Sequence, residues 1–238
     1  MNAGHLLADL RNAGLNVVEE PGWEKRGNRW NVDGKPEGVM QHHTAPPNPY
    51  PIKRLYGPPL YRIKANMATH ENGRLYLIAY NACNYSSGYG MQSRLIDVRK
   101  SIAPTTNAPH KGTKSGNRHF WNYENSHPGD GSPIPQVQLE TIIESNRIVN
   151  EHFGLDPEQT ISHAEWTKRK IDPRWNGSNR TAIEQIREGV AEMAIMSKEA
   201  QEFWQATFEE LQKLDPKTSA SWGKAIVEFK RDQESDDD

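Results

Sequence analysis

Between Pro135 and Phe153, the residues Leu139, Ile142, Ile143, Val149 and Phe153 recur at largely helical spacing. Val137 and Ile148 widen the stripe, and Gly154 follows it as a cap. Such a stretch demands a long helix with one buried side, and the rest of the chain must supply the surface that covers it. Short apolar runs on either side have the length and composition of strands: Asn16 to Val18, Gly38 to Met40, Phe120 to Asn125 and Thr160 to Ser162. Two further strands, Ala65 to Ala68 and Arg74 to Ala79, flank the turn Glu71-Asn72-Gly73. Leu6, Leu7, Leu10 and Leu15 with Gly14 predict a first helix, and Asn179 to Met196 predicts another opened by an Asn or Thr cap. Helices alternating with strands predict an α/β fold, a mixed central β-sheet flanked by helices.

The intervening segments read differently. Six prolines between Pro46 and Pro59 predict loop, and the small and polar residues from Asn81 to Arg118 predict a long surface excursion able to line a cleft. Residues 1–196 are expected to form one domain and 197–238 a short C-terminal helical extension. That extension has helical patterns around Phe203, Trp204, Phe208 and Leu211, then Trp222, Ile226 and Phe229, and an acidic tail, Glu234 to Asp238.

Composition removes several classes of function. A net charge of −2 offers no overall attraction to phosphate backbones, so nucleic acid is not the expected partner. The one cysteine, Cys83, excludes an intrachain disulfide and every multi-cysteine metal site, and fits manufacture in a reducing compartment. Met1 to Val18 has neither the apolar core of a signal peptide nor a membrane span. The expectation is synthesis in a reducing cytoplasm without membrane insertion; oligomeric state is left open.

Two places carry residues suited to chemistry: Gln41-His42-His43-Thr44-Ala45 after a short strand, and His163-Ala164-Glu165-Trp166-Thr167-Lys168-Arg169-Lys170-Ile171-Asp172-Pro173 after another. A catalytic zinc needs three protein ligands from imidazole, carboxylate or thiolate, with the fourth place open to water. Each motif taken alone is equally compatible with surface or core histidines.

Together and in this order they resemble the N-acetylmuramoyl-L-alanine amidase type 2 family, zinc amidases related to peptidoglycan-recognition proteins. The late motif looks particularly like endolysins of actinobacterial phages, and the resemblance covers roughly Leu6 to Val190. It implies that His42, His163 and Asp172 bind Zn2+, that His43 packs or hydrogen-bonds beside them, and that Lys170 stabilises an oxyanion. For the acid/base it implies either Glu124, in Trp121-Asn122-Tyr123-Glu124-Asn125, or a tyrosine. Ala65 stands where that tyrosine would fall, so Tyr61 is the alternative and Glu124 the choice. His43, Thr44, Asn84 and Tyr85 are the expected substrate contacts. The implied reaction is hydrolysis of the amide between N-acetylmuramic acid and L-alanine, with bacterial peptidoglycan as partner and action on the wall after release through membrane lesions. A non-catalytic peptidoglycan-binding protein of the same fold is the alternative, and a metal-dependent nuclease a more distant one.

Overall fold

The computed structural model describes residues 2–46, 49–57 and 62–214, apart from the side chains at 197, 201 and 204–214. In chain order the elements are α1 (Ala3–Asn12), β1 (Val17–Glu19), β2 (Gly38–His43), β3 (Met67–Thr69), β4 (Leu75–Leu77), β5 (Tyr89–Gly90), α2 (Gln92–Arg99), β6 (Lys114–Ser115), β7 (Phe120–Asn125), α3 (Gln136–Phe153), β8 (Thr160–Ser162), α4 (His163–Trp166) and α5 (Asn179–Leu214). The fold divides into a unit of Asn2–Ala191 and a second that begins at Glu192.

The first unit is built on a six-stranded sheet in the order β1-β4-β3-β7-β2-β8. Strands β3, β7, β2 and β8 run parallel, β4 is antiparallel to β3, and β1 is parallel to β4. The sheet is therefore mixed and flanked by helices, as the alternation of patterns predicts.

Alternation along the strands assigns the two faces. Val39, Met67, Trp121 and Tyr123 point to one side, where Ile142, Ile148, Val149 and Phe153 of α3 pack with Leu6 and Leu10 of α1 and Ile186 of α5. Each such large side chain contributes about 1.5–3 kcal/mol by leaving water. Gln41 Nε2 donates to Asn146 Oδ1 at 3.0 Å and Asn146 Nδ2 to Thr160 Oγ1 at 2.9 Å, so polar pairs fix the seat of α3 inside an apolar layer. Gly154, at φ 63°, ends the helix in the left-handed conformation that glycine adopts without strain. Met40, Phe120 and Ile161 point to the other side, against Leu95 and Val98 of α2 and Trp166 of α4.

The segment expected as surface excursion is more ordered than its composition suggests. It holds β5, α2 and β6, and Leu95 and Val98 are fully buried. Two buried apolar residues in an eight-residue helix are too few to show a period, so tertiary contact rather than pattern defines it. Helix α5 likewise continues through Ser197 to Leu214. Nothing from Ser197 to Leu214 is Gly or Pro, and an interior serine costs only a few tenths of a kcal/mol. Ile195, Met196 and Phe203 are exposed. The Trp222, Ile226 and Phe229 pattern, the acidic tail and Tyr61 lie outside the described residues.

Helix α4 is one turn long and needs external support. Ser162 and Glu165 cap it reciprocally: Glu165 N–H donates to Ser162 Oγ at 3.1 Å and Ser162 N–H to Glu165 Oε2 at 2.8 Å. The fully buried Glu165 carboxylate also receives Arg180 at 3.1 Å and Arg187 at 3.1 and 2.8 Å, which ties α4 to α5. The indole of Trp166 lies edge-on to Phe120, ring centroids 5.1 Å apart, and directly against the backbone of Gly90, where a Cβ would collide with it. Glu165 and Trp166 thus hold the late motif in place.

Replacing Glu165 takes from two half-buried guanidinium groups the buried carboxylate they share, leaving Arg187 with the Thr160 carbonyl and Arg180 with Glu184 and the Pro104 carbonyl, and removes a cap. Glu165→Ala is expected to lower the unfolding free energy by about 3–5 kcal/mol in urea titrations. A loss below about 1 kcal/mol would show that both arginines find other partners.

Candidate metal centre

Strand β2 lies between β7 and β8, and its register fixes what meets at its end. His42 is level with Glu124 and His43 with Asn125, while Gln41 is level with Ser162, the last residue of β8. His163 therefore leaves the sheet beside His42. Both His42 and Glu124 share the Met40 and Phe120 face, beyond the end of the apolar layer under α2.

The loop after α4 returns Asp172 to the same point. Ala164 N–H donates to the Asp172 carbonyl at 3.0 Å, Thr167 Oγ1 to the Lys111 carbonyl at 3.0 Å, and Lys168 N–H to the His110 carbonyl at 3.1 Å. Backbone bonds at both ends of the loop thus set where its side chains go.

His42, His163 and Asp172 are all buried, and their candidate ligand atoms lie within 4.8 Å of one another. Among the described residues this is the group of His, Cys, Asp and Glu arranged so. Nδ1 of His42 and Nδ1 of His163 each stand 3.0 Å from the same oxygen, Asp172 Oδ2, and the two rings are 4.5 Å apart at 82°.

The far nitrogens decide the tautomers. His163 Nε2 faces the Ser87 carbonyl at 3.2 Å, which can only accept, so Nε2 carries the proton. His42 Nε2 faces Asn122 Oδ1 at 3.1 Å. Asn122 Nδ2 donates to the Phe120 carbonyl at 2.7 Å and Ser87 Oγ donates to Asn122 Oδ1 at 2.6 Å, which orients that amide with its oxygen toward the ring. Both Nδ1 atoms are thereby left pointing at one carboxylate oxygen.

Burial drives His163 down to about 4, against the opposing pull of Asp172, so at neutral pH its Nδ1 lone pair confronts a carboxylate oxygen. Burial also lowers His42, but the hydrogen bond to Asp172 and the Glu124 charge outweigh it and raise that ring. Burial alone would raise Asp172; the two imidazoles beside it hold it well below the usual carboxylate range. Once His42 gives up its Nδ1 proton, two nitrogen lone pairs and one anionic oxygen face a common point, a donor set that fits a divalent cation of the zinc type.

This group lines a cleft of about 410 Å3 together with His43, Thr44, Tyr50, Lys64, Tyr85, Glu124 and Lys170. Burial pushes the Glu124 carboxyl up to about 7; Asp172 adds to the rise, while His42, Lys170 and Lys64 oppose it. His43 accepts the Arg174 N–H on its own Nδ1 at 3.0 Å, which occupies the nitrogen equivalent to the one His42 leaves open. Burial lowers its pKa. Asn84 is not part of the lining: its Oδ1 accepts the Ile63 N–H at 2.8 Å and so shapes the loop behind Tyr85.

Asn122 and Ser87 were not singled out in the sequence. Asn122 precedes Glu124 by two residues on one strand, so face alternation was a usable signal. Ser87 acts largely through its carbonyl, for which no side-chain pattern exists.

Comparison with protein-family models and with curated proteins finds no match. Among solved structures, the chain is similar to the endolysin N-acetylmuramoyl-L-alanine amidase LysCS from Clostridium intestinale URNW, at 14% identity over 71% of this chain and 92% of that one, TM-score 0.44. It is similar to the N-acetylmuramoyl-L-alanine amidase LysC from the same organism, at 13% identity over 71% and 94%, TM-score 0.42. A third is the amidase AmiD from E. coli, in complex with anhydro-N-acetylmuramic acid-L-Ala-D-gamma-Glu-L-Lys. It matches at 17% identity over 66% of this chain and 61% of that one, TM-score 0.43.

Asn122 holds one ligand ring and, through Ser87, is linked to the acceptor of the other. Asn122→Ala is expected to weaken zinc binding about 10–100-fold in competition with a chelating dye. A change of less than about threefold would show that His42 keeps its orientation without it.

Proposed function

We propose that this chain is a zinc-dependent N-acetylmuramoyl-L-alanine amidase of the phage endolysin type. It would hydrolyse the amide between N-acetylmuramic acid and L-alanine in bacterial peptidoglycan. The observation that carries the reading is the convergence of His42 Nδ1, His163 Nδ1 and Asp172 Oδ2, all three residues buried, in a cleft whose wall also holds Glu124 and Lys170. The bond cleaved is supplied by the motif resemblance, since geometry alone specifies only a metal-assisted hydrolase.

When bound, zinc would polarise the scissile carbonyl and lower the pKa of a coordinated water toward about 7. The chain's own residues supply proton transfer and orientation. With its pKa near 7, Glu124 is populated in both protonation states at neutral pH, so it can take the proton of the attacking water and return one to the leaving amine. Lys170 places a positive charge on the cleft wall, where the carbonyl oxygen becomes anionic as water adds. Thr44 and Tyr85 line the approach and would contact the muramyl peptide. The substrate is a wall polymer, so an enzyme made in the host cytoplasm would reach it after membrane lesions open.

Purified sacculi and metal analysis test the assignment. His163→Ala is expected to lose both zinc and release of stem peptide. Glu124→Gln is expected to retain zinc while turnover falls about 10²–10⁴-fold. A parent protein that binds sacculi and zinc but releases no stem peptide would establish the binding-only alternative. A fully active Glu124→Gln would assign the acid/base to another residue.

A further inference from the structure

The net charge of −2 conceals a segregation that the fold turns into two unlike faces. From Gly38 to Tyr123 the sequence has 11 Lys and Arg against two acids, Glu71 and Asp97. From Asn125 to Gln159 it has six acids against one cation, Arg147. The second stretch contains α3, which covers the sheet face turned away from the cleft. The first supplies much of the cleft rim.

Cations from separate segments gather at that rim. Lys64, Arg169 and Lys170 line the cleft, and the Arg62 guanidinium lies 4.0 Å from the centre of the Tyr85 ring. Lys168 and Lys111 extend the rim outward; both are exposed, and the Lys168 amide and the Thr167 hydroxyl bond the carbonyls of His110 and Lys111, which sets the two lysines side by side. None of these six forms an ion pair with a described residue, in contrast to Arg147 on α3, which pairs with Glu144 at 2.7 Å and Glu151 at 2.6 Å. Lys64 and Lys170 feel the Glu124 carboxyl inside the cleft, but the outer cations have no ion-paired acid among the described residues, and like charges grouped in this way oppose folding. Such a surface is suited to an anionic partner larger than the ligand that the cleft encloses.

We propose that the rim outside the cleft is a docking surface for the wall itself. Lys111 and Lys168 would bind free carboxylates of stem peptides neighbouring the one being cleaved, so that the cleft meets the polymer face-on. This rests on the amidase reading for the identity of the polymer, and it assigns the rim a role separate from hydrolysis. The attraction would be long-ranged and screened, because exposed charges interact over about 10 Å at 0.1 M salt.

Three measurements on the full chain decide it. The first compares a Lys111→Glu, Lys168→Glu double variant with a Lys25→Glu, Lys198→Glu control of equal charge change. The rim variant is expected to bind sacculi about tenfold more weakly at low salt, a difference that disappears at about 0.5 M salt, and to cleave a soluble muramoyl peptide at the parent rate. The control is expected to bind within about twofold of the parent. Equal binding by rim variant and parent would overturn the proposal, and so would equal loss in the control. The second uses the unaltered protein, whose binding should fall similarly on sacculi with carboxylates converted to amides; undiminished binding there would overturn the proposal whether or not the variants fold. The third uses sacculi stripped of phosphate-containing polymers. Retained binding supports carboxylates as the partner, and lost binding assigns the rim to phosphate instead. Failure of the parent to cleave soluble muramoyl peptide would overturn the amidase reading alone, since the binding measurements stand apart from turnover.

Discussion

The register of β2 between two parallel neighbours is the constraint on which the site depends. One strand cannot assemble a three-ligand centre, because its side chains alternate between faces and only every second residue points the same way. Pairing β2 with β7 on one side and β8 on the other puts His42, Glu124 and the exit toward His163 at one level. A slip of one residue in β2 would turn His42 to the α3 side and expose His43 in its place. That slip is opposed from the α3 side, where Gln41 bonds Asn146 and Asn125 donates to Gln41 Oε1 at 3.0 Å and to the His42 carbonyl at 2.9 Å. The polar layer beneath α3 therefore acts on the face where it makes no contact, by locking which residues reach the cleft.

Much of this was legible because it depends on patterns of short range. The strands Phe120 to Asn125 and Thr160 to Ser162 appear with the bounds that their apolar residues suggest, and Gly154 ends α3 where its stripe ends. His42, His163 and Asp172 could be nominated as partners only through resemblance, since they lie 121 and nine residues apart and no local physics links the two motifs. The structure brings them together through strand pairing, which is non-local. Glu165 shows the opposite limit. Its place in the late motif invites a chemical role, yet its buried carboxylate is consumed by a helix cap and two arginines. Helix α2 was invisible for a further reason: it exists because Met40, Phe120 and Trp166 need a cover, and that need is written in their sequence rather than its own.

Charge was the property that whole-chain arithmetic hid most completely. A sum near zero is compatible with evenly mixed charges or with two opposed faces, and only the fold distinguishes them. Here the acidic helix α3 and the cationic rim lie on opposite sides of one sheet, so the chain has a direction that its total charge does not express.

The two carboxyl groups that line the cleft, Asp172 and Glu124, are the same chemistry in opposite environments. Asp172 sits between two imidazoles that favour its ionised form so strongly that burial fails to raise it. Glu124, one strand away, is buried without a hydrogen-bonded cation, and the nearby Asp172 charge makes its ionisation harder still. Neutralising Asp172 would remove part of what lifts Glu124, so the two titrations are coupled through the shared site. A carboxylate held permanently ionised suits a ligand, and one poised near neutrality suits a proton carrier. In the proposed chemistry the division of labour between them would follow from which residue the two histidines reach, and exchanging Asp172 and Glu124 in this fold would place each group where its ionisation is wrong for the proposed role.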